Sequence, residues 1–122
     1  MNPDYVSNLA VTFKTAQENY QVLEFKGDFD KAGLEEFRSK IDLLVQNLKQ
    51  QYLVFDFSGL NYINSESIGY LMSLNLALNN AGKKLIFVGV QPNVKDVLSM
   101  IGVMQVVNGY ANLSDFILAL KA

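Results

Sequence analysis

Neither cysteine nor histidine occurs in this sequence of 122 residues. The first absence removes disulfide frameworks and thiolate metal sites, and is what a reducing compartment permits without requiring it. The second removes Ser-His and Cys-His nucleophilic pairs, the common zinc sites and the usual general base near neutral pH. Charge is also scarce: 10 basic residues face 12 acidic ones, for a formal net charge of -2. No basic stripe is available to neutralise a phosphate backbone, so nucleic acid is not the expected partner. Apolar segments are broken by Asp, Asn, Ser or Lys well short of the roughly 20 residues that cross a bilayer. The opening MNPDYVSNLA has no basic stretch followed by an apolar one, so no secretory leader is expected. These features set the expectation of a soluble, cytoplasmic protein without membrane insertion.

What is present is apolar: half of the residues are hydrophobic, enough for one core, and residues 1–122 are expected to form a single domain. Leu9, Val11 and Phe13 alternate with Ala10, Thr12 and Lys14, the period of a half-buried strand. A second strand is predicted over Tyr20 to Lys26, pairing with the first as a hairpin and ending at Gly27. Asp30 then caps an amphipathic helix whose apolar positions are Leu34, Phe37, Ile41, Leu44, Val45 and Leu48. Tyr52 to Phe57 and Lys84 to Val90 are nearly continuous apolar runs, suited to strands buried on both faces. Between them Ser65 to Ala81 reads as a helix closed by Gly82, which implies a right-handed crossover. A short helix from Pro92 to a stop at Gly102, a strand over Met104 to Val107 and a turn at Asn108-Gly109 follow. The last element is an amphipathic helix carrying Leu113, Phe116, Ile117 and Leu120. The expected fold is an α/β sandwich: a mostly parallel β-sheet, an N-terminal antiparallel hairpin and about four helices.

The chemically informative stretch is VFDFSGLNYINSESIGYL, residues 54–71. The reading is a buried strand ending over Asp56 to Gly59, a short loop across Leu60 to Asn64, and a helix starting near Ser65. A helix start leaves about four backbone N–H groups unpaired, and its dipole favours negative charge, so a side-chain oxygen or a phosphate there is stabilised.

This segment resembles the signature of the STAS domain family of the anti-sigma factor antagonist type. That signature is a strand ending in Asp-(apolar)-Ser-(small), then an apolar-Asp-Ser-Ser/Thr-Gly-(apolar)-Gly turn into a helix. The counterparts are Asp56, Ser58 and Gly59, then Ile63, Asn64, Ser65, Glu66, Ser67, Ile68 and Gly69. GDFD at positions 27–30 resembles the family's Gly-x-Leu-Asp segment. The resemblance implies a regulatory binding module without catalytic residues, cofactor or metal. Its partner would be an anti-sigma factor that is also a serine kinase of the GHKL type, with a PP2C-type phosphatase as a further partner. The implied contact residues are Asp28, Asp30, Asn64, Ser65, Glu66, Ser67 and Ile68.

The sequence departs from the pattern where the family is phosphorylated. That position holds Glu66, which has no hydroxyl; the usual Asp before it is Asn64, and the usual Gly after it is Ser67. Three readings stay open: Glu66 as a fixed negative charge, phosphorylation shifted to Ser65 or Ser67, or binding without any switch. Simpler roles also stand: Ser65 as the helix N-cap, Asp30 as the cap of the first helix, and Asp56 as a loop-ordering carboxylate. Asp28 is expected to face solvent. Tyr70, Leu71, Met72, Leu74, Leu76 and Leu78 wrap more of the central helix than one buried stripe needs, which reads as deep burial or as an association surface. Two other functions compete: an accessory subunit of a lipid transport ATPase, and a small flavodoxin-like or phosphotransfer enzyme. Against the enzyme stand the missing Gly-rich phosphate loop and the lack of paired carboxylates.

Overall fold

The computed structural model describes residues 6–122; part of the opening segment read above for a leader, residues 1–5, lies outside them. The chain runs β1 (Ala10–Phe13), β2 (Tyr20–Phe29), α1 (Lys31–Asn47), β3 (Tyr52–Ile63), α2 (Ser65–Asn80), β4 (Lys84–Val88), α3 (Pro92–Ile101), a 3-10 turn (Val103–Gln105), β5 (Asn108–Tyr110) and α4 (Leu113–Lys121). The five strands lie in the order β1-β2-β3-β4-β5. β1 is antiparallel to β2, and every later neighbour pair is parallel. This is the expected α/β sandwich, with four α-helices.

Alternation along the strands divides the core in two. Leu23, Phe25, Phe29, Leu53, Phe55, Phe57, Leu85 and Phe87 point to the face covered by α1, α2 and α3, which contribute Leu34, Ile41, Leu71, Leu74, Leu78, Val94 and Leu98. Val22, Val54, Ile86 and Val88 point to the other face, where α4 lays Phe116. Phe116 meets the rings of Tyr20, Tyr52 and Tyr110 edge-on at 5.9, 5.5 and 5.5 Å. A strand covered on both faces has no polar side to alternate, and so the central strands read as continuous apolar runs.

Three local expectations need correction. β2 does not end at Gly27 but continues to Phe29, because Gly27 takes φ +100° and carries the strand through a bulge. A Cβ there would sit 2.2 Å from the backbone oxygen of Asn8. The loop expected over Leu60 to Asn64 is, up to Ile63, the second half of β3: Leu60, Tyr62 and Ile63 pair with Gly27, Asp28 and Phe29. The polar, exposed Asn61 and Tyr62 disguise this strand, since only Leu60 and Ile63 are buried there. Finally, Met104 to Val107 is no strand. The chain tightens into the 3-10 turn, and the pairing with Ile86, Phe87 and Val88 is made by Asn108, Gly109 and Tyr110, where a turn was expected.

Candidate functional site

The signature segment ends on two helix starts held side by side. β2 and β3 run parallel to their last residues, Phe29 opposite Ile63, so α1 and α2 begin at the same end of the sheet. The backbone N–H of Asn64 donates to the carbonyl of Phe29 at 3.2 Å and ties the two exits together. Each helix is capped from the residue before it. Asp30 Oδ1 accepts from the N–H of Gly33 at 2.9 Å, and Asn64 Oδ1 accepts from the N–H of Ser67 at 2.8 Å. The cap of α2 is therefore Asn64 and not Ser65. Asn64 has the extended backbone of a cap residue, whereas Ser65 is already helical.

Gly33 shows why glycine stands in the first turn of α1. A Cβ there would lie 2.9 Å from the Asp28 carbonyl oxygen and 3.0 Å from Leu9 Cβ. The helix start is pressed onto the end of β2 and the segment before β1, which outweighs the helix propensity lost.

The side chains named from the sequence fall into two groups. Ser65, Glu66 and Gly69 are exposed on the outer face of the first turns of α2, with Tyr62 beside them on β3 at 52% exposure. Ser67 and Ile68 point inward, at 0% and 2% exposure. Ser67 Oγ has no hydrogen-bond partner among the described residues. Asp28, expected in solvent, is half-buried and clasped: its backbone N–H donates to Asn8 Oδ1 at 3.0 Å, and its Oδ2 accepts from Asn8 Nδ2 at 2.9 Å. Nothing in the local sequence announces Asn8, because its partner is twenty residues away. Asp56 orders its own segment, Oδ1 accepting from the N–H of Ser58 at 2.9 Å.

α3 braces the same end of the sheet: Gln91 Nε2 donates to the Ser58 carbonyl at 2.7 Å and Asn93 Nδ2 to the Asn61 carbonyl at 2.8 Å. Deeper along α2, the Tyr70 hydroxyl donates to Asp42 Oδ1 at 2.6 Å, and the Arg38 guanidinium lies 5.1 Å from the ring centre. Burial, reinforced by the bond to the Asp42 carboxylate, holds the Tyr70 phenol protonated far above the usual tyrosine range. This α1–α2 clasp fixes the helix behind the exposed turn. Of the apolar residues on α2, Tyr70, Leu71, Leu74 and Leu78 are buried, Met72 partly, and Leu76 is 62% exposed.

The architecture is that of a compact α/β module whose polar features gather at one helix start without forming a cluster of acidic residues able to hold a metal, among the described residues. Residues 13–116 match the family model of the STAS domain, and the chain belongs to that family. Solved structures agree on the fold. An anti-sigma factor antagonist from Mycobacterium paratuberculosis superposes with a TM-score of 0.82 at 17% identity, covering 99% of this chain and 98% of that one. The anti-sigma factor antagonist SpoIIAA in its unphosphorylated form gives 0.78 at 18% identity, covering 92% and 96%. A Ser-to-Glu variant of RsbS from Moorella thermoacetica gives 0.72 at 17% identity, covering 94% and 96%. Among the described residues no helix is long and apolar enough to cross a membrane.

Proposed function

We propose that this STAS domain is a protein-binding module of the partner-switching type. It docks an anti-sigma factor of the GHKL kinase type through the start of α2 and the neighbouring end of β2. The observation that carries this reading is the exposed ridge Ser65, Glu66 and Gly69, set on a turn fixed from behind by the Asn64 cap and the Tyr70–Asp42 clasp. A preorganised, solvent-facing helix start loses little freedom on binding, which favours affinity. The chemistry is binding rather than catalysis, carried out in the cytoplasm.

Glu66 occupies the family's phosphosite position as an exposed side chain without a hydroxyl, and Ser67 is sealed in the core. The reading that follows is binding without a phosphate switch. Capture with the full chain as bait tests it: a GHKL-type ATPase should be retained, and Glu66→Lys should release it. Recovery of no such ATPase would refute the function. Incubation with that kinase and ATP, followed by intact-mass analysis, tests the missing switch. No mass change is expected; a single phosphate on Ser65 would instead establish switching in a shifted register, with a PP2C-type phosphatase as its counterpart. The lack of a hydroxyl at Glu66 equally suits an accessory subunit of a transport ATPase, and retention of a transporter ATPase in the same capture would select that reading.

A further inference from the structure

We infer that the crevice between the starts of α3 and α4, at the carboxyl ends of β4 and β5, is a binding site for a small aromatic acid. Topology sets the place. β4 and β5 are parallel neighbours, but the helices that follow them leave to opposite faces of the sheet. α3 buries Val94 and Leu98 with Phe87 on one face, and α4 buries Phe116 with Val88 on the other. Because α1 and α2 lie on the α3 face, this is, among the described residues, the one place where consecutive helices part. Where they part, neither helix covers the strand ends and a crevice opens between them. In open α/β sheets such a switch point is where ligands are held.

A recess lies at that point. It measures about 420 Å³ and is lined by Val90 after β4, Lys95 on α3, Met104 on the 3-10 turn, Gly109 and Tyr110 on β5, and Ala111 beyond it. Small-molecule sites commonly span about 300–1,000 Å³, with apolar walls and a few polar groups. The recess is separate from the docking turn, because it lies on the far side of β4 from β3 and α2.

The lining selects the chemistry of the ligand. Lys95 is the one charged residue in it, no carboxylate lines it, and Lys95 forms no ion pair with a described residue. The backbone supplies a second donor. Tyr110 turns its carbonyl to β4, where it accepts from the N–H of Gly89 at 3.1 Å. Alternation along the strand then turns the N–H of Gly109 the other way, to an edge that no further strand covers. An ammonium and an amide N–H together suit an anionic head group such as a carboxylate. The other walls are apolar and suit a flat ring. Phe116 holds the Tyr110 ring edge-on at 5.5 Å, and the Met104 thioether can lie against an aromatic guest. Gly109 lets that thioether come close, since a Cβ there would lie 2.8 Å from Met104 Cε. Met104 is unbranched, so its rotation admits a ring without moving the backbone.

Amide NMR of the full chain, titrated with indole-3-acetate to about 10 mM, tests the inference. Saturable shifts should centre on Val90, Lys95, Gly109, Tyr110 and Ala111, with half-saturation near about 1 mM, the affinity expected for a ligand of this size. Indole-3-acetamide keeps the ring, loses the charge and should bind at least about tenfold more weakly. Lys95→Met should weaken the acid by the same factor and leave the amide unchanged. Lys84→Met removes the same charge at the opposite end of β4 and should leave both unchanged. Ala111→Phe should fill the recess and abolish binding of both, with its melting temperature reporting an intact fold. Inorganic phosphate alone should not saturate over the same range. Absence of saturable shifts, shifts centred elsewhere, equal binding of acid and amide, equal losses from Lys95→Met and Lys84→Met, or phosphate binding as tightly as the acid would each overturn the inference. The titration uses no partner protein, so its failure leaves the docking role of α2 untouched.

Discussion

Replacing Asn64 by Ala removes the side-chain acceptor of the N–H of Ser67, at 2.8 Å. Loss of an N-cap costs about 1 kcal/mol in an exposed helix. Here the orphaned donor belongs to a residue with 0% exposure, where water cannot take over, so the cost should rise toward about 2 kcal/mol. For a chain of this length a change of 1 kcal/mol moves the melting temperature by about 4 °C, so Asn64→Ala should melt about 4–8 °C below wild type. The comparison that gives the test its edge is Ser65→Ala. From sequence, Ser65 was the candidate cap; in the structure it is an exposed first-turn residue, and its loss should cost under about 0.5 kcal/mol, or about 2 °C. Asn64→Asp keeps an acceptor at the cap and should stay near wild type. Calorimetry on the four proteins decides the matter. Equal losses from Ser65→Ala and Asn64→Ala, or none from Asn64→Ala, would refute the assignment of the cap and the argument that the turn is held from behind.

Tyr70→Phe removes a 2.6 Å hydrogen bond to a carboxylate and should cost about 1.5–3 kcal/mol in urea unfolding. The same phenol is held neutral above its ordinary value in the folded chain, so its contribution is complete below about pH 10, the unfolded tyrosine value, and is lost as pH rises beyond it. Absorbance of tyrosinate during alkaline titration should therefore show a tyrosine that ionises only as the fold is lost, and Tyr70→Phe should remove that late component. Gly33→Ala should destabilise by about 1–3 kcal/mol despite alanine's better helix propensity, because its Cβ would meet the Asp28 carbonyl oxygen at 2.9 Å; a stabilised variant in the same urea assay would contradict this. Phe116→Ala should cost about 3–5 kcal/mol by emptying the centre of the α4 face, and near-ultraviolet circular dichroism of the surrounding tyrosines should collapse with it.

Much of the fold was readable because its signals are local. The spacing of Leu34, Phe37, Ile41 and Leu44 specifies a helix wherever it lies, and Gly102 stops α3 where the sequence placed the stop. The apolar runs of β3 and β4 announced a sheet covered on both faces, and the signature at residues 56–69 announced the family before any coordinate. What misled was also local. Asn61 and Tyr62 have the composition of a loop, and Asn108-Gly109 that of a turn, yet both lie in strands because a neighbouring strand supplies the pairing. Short segments take their state from tertiary partners when their own preference is weak.

The sequence by itself determined the class of fold, the position of the family signature and the absence of a hydroxyl at position 66, since all three depend on residue identity and periodic spacing alone. Only the tertiary structure decided that Asn64 rather than Ser65 caps α2, that Ser67 is buried while Glu66 is exposed, and that Asp28 is clasped by Asn8. It also decided that Met100 and Ile101 are left outside the core. The physical reason is common to all four. Which side of a helix faces inward, and which backbone donor a polar side chain reaches, is set by elements that meet only when the sheet closes, and no local pattern records which of its faces a neighbour will cover.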